Sequence, residues 1–251
     1  MGNFFSYDYQ GAPFAFLGTA HILALCMLVL LNVFLLRDRK KEEKARAKTR
    51  WILAIILVAD ESAWHIWNIV NGTWNVQEHL PLHACSILIW LAAYMLIKKD
   101  QRIYEFAYFM GINGALQALF TPDIGIYGFP HFRFFQTFIS HGLLVTSAVY
   151  LTTVEGFRPT WRSMLRVILI ANVFMVLVFG VNSLIGSNYL YVNHKPVGPS
   201  LLDVLPDWPV YLLYMELIGF FMFSLLYLPF IIRDWQDKKH QKATTNLKLT
   251  G

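Results

Sequence analysis

The stretch His79-Leu-Pro-Leu-His-Ala-Cys-Ser-Ile-Leu-Ile-Trp-Leu-Ala-Ala-Tyr-Met-Leu-Ile97 opens on two histidines and a cysteine, then continues without a charged residue. After Ser86 every side chain is apolar or aromatic, so the pattern has neither the period of an amphipathic helix nor that of a half-buried strand. Read as one helix from His79, it extends for about 28 Å, close to the roughly 30 Å of a bilayer's hydrocarbon core. Ionisable groups are expensive there, on the order of a few kcal/mol each even on lenient insertion scales. His79, His83 and Cys85 therefore mark a candidate site.

The same texture recurs on both sides of this stretch. Of 251 residues, 56% are hydrophobic, 16% aromatic and only 15% charged, and the mean hydropathy is +0.45. Apolar runs predict membrane spans at 13–36, 51–70, 79–97, 103–121, 132–153, 165–186 and 209–232. The expected architecture is all-α and polytopic: seven helices forming one domain over 13–232, an interfacial segment at 1–12 and a basic tail at 233–251. No basic residue precedes the first run, and it is longer than a signal-type apolar region, so it reads as a retained span. Cys26 and Cys85 fall in different spans, which argues against a disulfide framework.

Charge sets the expected orientation. Segment 37–50 carries eight Lys or Arg, 98–102 three, 158–166 three and the chain from 233 onward five, against Arg133 and Lys195 alone on the other side. The positive-inside rule then places the N-terminus outside and the C-terminus inside. The net charge of +5 is topogenic on this reading and gives no nucleic-acid-binding face.

With that topology the polar membrane residues gather in the outer half: Cys85 about 9 Å and His141 about 14 Å below the surface, with His65, Asn113, Gln117, Asn182 and Glu216, while Asp60 and Glu61 fall close to the midplane. The clustering predicts a polar cavity opening outward. On ideal helices Glu61, His65 and Asn68 share a stripe, as do Asn113 and Gln117, and His79 and His83. Cys85 lies about 200° round from His83, so His141, from another span, is the better base for the thiol. Two outer loops, 122–131 and 187–208, combine prolines, glycines and aromatics in the manner of interfacial anchors or a lid.

A cysteine with a histidine permits acyl transfer through a thioester, or acyl hydrolysis where water is the acceptor. In that scheme Cys85 is the nucleophile, His141 the base, His83, Glu61, His65 and Glu216 supports, and Asn113, Gln117 or Asn182 amide donors to an oxyanion. The substrate at that depth is a phospholipid or lysophospholipid ester, and no cofactor or metal is needed. Two other schemes use the same residues: a zinc site from His65, His79, His83 and His141 with Asp60 or Glu61, and a non-enzymatic cavity that binds or transports a small solute.

Several longer motifs carry a resemblance. Leu80-Pro-Leu-His-Ala-Cys85, Gly125-Ile-Tyr-Gly-Phe-Pro-His-Phe-Arg-Phe-Phe-Gln136 leading to Ser140-His141-Gly142, Glu155-Gly-Phe-Arg-Pro159, and Ser200-Leu-Leu-Asp203 before Trp208-Pro209 are the stretches concerned. Over roughly 10–235 the chain resembles the YwaF-type bacterial integral membrane proteins and their eukaryotic relatives, transmembrane protein 164, an acyltransferase acting on ether phospholipids. The resemblance implies acyl transfer from a diacyl phospholipid to a lysophospholipid, with Cys85 as nucleophile and His141 as base, in a bacterial cytoplasmic membrane.

Overall fold

The computed structural model describes residues 3–196 and 201–249; Ser200 of the fourth motif lies outside them. Among the described residues the regular elements are all helical: α1 Thr19–Leu35, α2 Glu43–Val70, α3 Ala84–Lys98, α4 Gln101–Phe106, α5 Ile112–Phe120, α6 Phe132–Thr153, α7 Trp161–Ile185 and α8 Val210–Leu249. A 3-10 extension, Leu36–Lys40, lengthens α1, and a π turn, Ala107–Gly111, joins α4 to α5.

Five of these helices are long and apolar enough to cross a membrane: α1 with its extension, α2, α6, α7 and α8. The other two expected spans differ from the simple reading. α3 is a 15-residue helix, about 22 Å at the standard rise, and the fourth span is α4, the π turn and α5 in series. Length in lipid matters less for these two because protein covers them. Leu88, Ala92, Met95 and Leu96 of α3, and Tyr104, Ala107, Phe109 and Ala115 of the interrupted helix, are all fully buried. Together with α2 and α6 they form the packed centre of the molecule, while α1, α7 and α8 present mostly exposed apolar faces.

The helix boundaries have local causes. α3 starts at Ala84, not at His79. Pro81 lacks an amide proton and drives the residue before it out of the helical region, so 79–82 is a loop. α3 ends at Lys99 in the left-handed conformation (φ 56°), and Asp100 immediately caps α4 by accepting from the amides of Arg102 and Ile103. α7 opens with a reciprocal Thr160–Ser163 capping box and closes on Gly186 at φ 69°, a conformation that glycine adopts without a Cβ penalty. α8 does not stop at 232 but continues as helix to Leu249, so the expected tail is largely helical.

One end of the molecule is strongly basic and tightly paired. Glu155, between α6 and α7, lies within ion-pair reach of Arg46, Arg50 and Lys99. Its carboxylate is only 1% exposed, yet it closes the ends of α2, α3 and α6 on one another. Asp38 does the same for α1, accepting from Thr49 and Tyr150. The charges expected to set topology are therefore also the pins that hold this end together.

Candidate functional site

At the opposite end, Cys85 is the second residue of α3. His83 is the N-cap but makes no side-chain cap hydrogen bond. The first backbone bond into the helix runs from the Ile87 amide to the His83 carbonyl. Among the described residues no acceptor meets the amides of Ala84, Cys85 or Ser86, so three free donors stand beside the thiol. The sulfur rests on Gly114 of α5, where an added Cβ would lie 3.3 Å from Sγ. α2, which carries Glu61, packs along α3.

The late start of α3 corrects two expectations. Cys85 sits at the mouth of the helix, not about 9 Å down it, and His79 and His83 do not share a helical stripe. His79 is buried against Trp64 and Trp74 and accepts from the Asn75 amide. The His83 ring packs on Tyr189 and Tyr191, and its Nδ1 accepts from the Leu190 amide at 3.4 Å.

His141 lies on α6, a helix buried on most sides. Its Nδ1 lies 2.9 Å from the Thr137 carbonyl and 3.2 Å from the Ser140 hydroxyl. A carbonyl only accepts, so Nδ1 carries the proton and Nε2 keeps a lone pair, as a base requires. Among the described residues no hydrogen bond joins His141 to Cys85. Their relative level follows from α5, which runs antiparallel to α6: Leu144 packs on Gly111, at 3.4 Å from an added Cβ. One turn further out, Gly114 meets the sulfur, and His141 is the residue one turn out from Leu144.

At the same end of the molecule the structure draws together a polar cluster from α2 and α6. Glu61 approaches His65 Nε2 at 3.7 Å, and Trp74 Nε1 donates to the other ring nitrogen of His65 at 3.1 Å. Asp60 accepts from Gln136 Nε2 at 3.4 Å, and Gln136 Oε1 in turn accepts from Arg133. The Arg133 guanidinium lies 3.7 Å above the Trp64 ring. Sequence reasoning counted Arg133 only as an exception to the charge bias. Its position in the first turn of a span, on the side nearly devoid of Lys and Arg, was the available signal.

Other expected members lie elsewhere. Asn182 is saturated by Tyr189, Asn193 and Ser187, closing the turn after α7. Glu216 of α8 accepts from Asn172 of α7. Gln117 points to the exposed surface, and neither it nor Asn113 makes a side-chain hydrogen bond among the described residues. Nor do three His, Cys, Asp or Glu residues there group as metal ligands: His83 faces Tyr189, and His141 is bound to Thr137.

A family model, that of the TMEM164 family, matches residues 16–227. The chain belongs to the TMEM164 family. No curated protein and no solved structure matches it. Family membership and the apolar helices together make this a multi-pass membrane protein.

In this TMEM164-family chain the site end is covered by two straps. Residues 4–7 cross the ends of α2 and α6 through four carbonyl contacts, from Phe4, Phe5, Ser6 and Tyr7 to Phe132, Trp67, His131 and Tyr127 respectively. Burial lowers the pKa of His131, while its bond to the Ser6 carbonyl acts in the opposite sense. The second strap is the turn at Tyr189–Tyr191. Tyr189 is fully buried; its hydroxyl accepts from the Leu80 amide and donates to the Val76 carbonyl, both at 2.8 Å. An apolar cavity of about 490 Å³ lies nearer the basic end, between α5, α6 and α8, with Arg233 at its rim.

Proposed function

We propose that this TMEM164-family protein is a phospholipid acyltransferase of the YwaF-type branch. Its chemistry uses Cys85 and His141 at the outer face of seven spans, with the basic end in the cytoplasm of a bacterial cell. The observation that carries the reading is the environment of Cys85: a thiol in the first turn of an uncapped helix, beside three free amides, on a glycine that admits its sulfur.

In the first half-reaction His141 Nε2 takes the thiol proton and Cys85 Sγ attacks the acyl ester carbonyl. A C–S bond forms, the ester C–O bond breaks, and the imidazolium returns the proton to the departing glycerol oxygen. The amides of Ala84, Cys85 and Ser86 face the place where negative charge develops on the carbonyl oxygen. In the second half-reaction a lysophospholipid hydroxyl gives its proton to His141 and attacks the thioester, freeing the thiol. Asn113 and Gln117 are not needed as oxyanion donors. Glu61 and His65 are polar supports at the same end of the molecule.

In proteoliposomes carrying a phospholipid with a labelled acyl chain, Cys85→Ser and Cys85→Ala are expected to abolish transfer to added lysophospholipid. Quenched wild-type protein should carry one acyl group on the peptide containing Cys85. An unchanged transfer rate in Cys85→Ala would end this proposal.

A further inference from the structure

We infer that Arg133 is the anchor for the phosphate of the lipid substrate, held ready by Gln136 and Trp64; this rests on the acyltransferase reading of the Cys85 site. Three observations support it.

First, the guanidinium is held without being neutralised. Gln136 stands between it and Asp60, accepting from Arg133 with its oxygen and donating to the Asp60 carboxylate with its nitrogen. Asp60, Glu61 and Asp123 lie within electrostatic reach of Arg133, but among the described residues none comes within ion-pair distance of it. A cation in a span usually has a carboxylate partner. This one has a neutral amide spacer instead.

Second, the group is pre-oriented. Its central carbon lies 3.7 Å from the Trp64 ring centroid, and Trp64 itself stacks on Trp67. This cation–π contact holds the group in place while leaving most of its five N–H donors available. The forked edge of a guanidinium matches two phosphate oxygens.

Third, the placement suits a glycerophospholipid. Arg133 lies eight residues, about 12 Å at the helical rise, outward of His141 along α6. The arginine side chain reaches back over part of that distance, so phosphate at Arg133 brings an ester carbonyl of the same lipid toward Cys85. Arg133 touches no reacting atom on this scheme; it is a positioning residue that selects for a phosphate.

The test separates binding from chemistry by using Cys85→Ser protein in detergent. Two probes are compared by native mass spectrometry: a lysophosphatidylcholine, and a monoacylglycerol with the same chain but no phosphate. The phosphate-bearing probe is expected to bind at least about tenfold more tightly, the low end for a hydrogen bond to a charged group. Arg133→Gln should erase the preference and Arg133→Lys should retain part of it. Gln136→Glu keeps the arginine but sets a carboxylate against it, and should also erase the preference. Equal binding of the two probes by the Cys85→Ser protein, or a preference that survives both Arg133→Gln and Gln136→Glu, overturns the assignment. Because no turnover is involved, a preference that behaves as expected in a protein whose wild type transfers no acyl groups would uphold the phosphate site while refuting the acyltransferase reading.

Discussion

Gly114→Ala separates stability from chemistry at the proposed nucleophile. The added methyl would stand 3.3 Å from Cys85 Sγ, inside ordinary van der Waals contact, so the sulfur must give way by a few tenths of an ångström. Alanine favours a helix over glycine by about 1 kcal/mol. Crowding a packed site costs about 1 kcal/mol at the lenient end, and here a single soft sulfur is displaced. The two terms nearly cancel, and thermal unfolding should hardly move. Catalysis has no such compensation: a misplacement near 1 Å costs about a hundredfold, so a few tenths scale to roughly fivefold to tenfold. The assay is acyl transfer in proteoliposomes, run beside the rate of thiol alkylation and the melting temperature. An unchanged melting temperature with a slowed transfer rate is the expected pair of results. Full activity in a stable Gly114→Ala protein would show that the sulfur against Gly114 is not the reacting group.

Two further outcomes concern the scaffold. Glu155→Gln leaves Arg50 and Lys99 facing a neutral amide at the basic end. Both cations keep Glu43 as a partner, so the cost falls below the roughly 3 kcal/mol of a fully stranded buried charge; the melting temperature should fall while phosphate preference at the other end is retained. Tyr189→Phe strands the Leu80 amide and the Val76 carbonyl, each worth about 1–3 kcal/mol when unsatisfied. Hydrogen exchange should then quicken at Leu80 and across 76–83, with little change in α6; unaltered exchange there would remove Tyr189 from its role as the pin of this strap.

How much of this was legible in the sequence depends on what each signal encodes. Uninterrupted apolar length is a one-dimensional property, and it located α1, α6 and α7 within a few residues. α3 was extended too far because the apolar run was read through Pro81, whose local backbone preference outweighs hydropathy at a helix start. The π turn at Ala107–Gly111 is announced only by Gly111, and an isolated glycine is tolerated inside a helical pattern; packing of the buried Tyr108 and Phe109 is visible only in three dimensions. Azimuth and partners were not readable in the same way. Asn182 and Glu216 spend their polar atoms on Tyr189, Asn193, Ser187 and Asn172. The free amides at the start of α3 escaped notice for a simpler reason. Backbone groups have no letter in the sequence, and only the missing cap at His83 reveals them.

That missing cap admits a decisive substitution. Buried or half-buried backbone donors are nearly always satisfied, so an uncapped helix start next to a cysteine is a place where stability has been left unclaimed. His83→Asn supplies a side-chain acceptor at the N-cap, within reach of the Cys85 and Ser86 amides, on a smaller polar side chain. A good N-cap adds about 1 kcal/mol, against which stands the loss of the ring contacts to Tyr189 and Tyr191. The protein should remain folded and at least nearly as stable. If those amides receive the oxyanion, the new cap competes for the same protons, and transfer should fall toward the hundredfold typical of losing one such donor. His83→Ala, which removes the ring without capping the helix, controls for the lost contacts: it should be the less stable of the two variants and the more active. A His83→Asn protein that matches or exceeds His83→Ala in transfer rate would mean that the oxyanion is held elsewhere and that the open helix end serves no catalytic purpose.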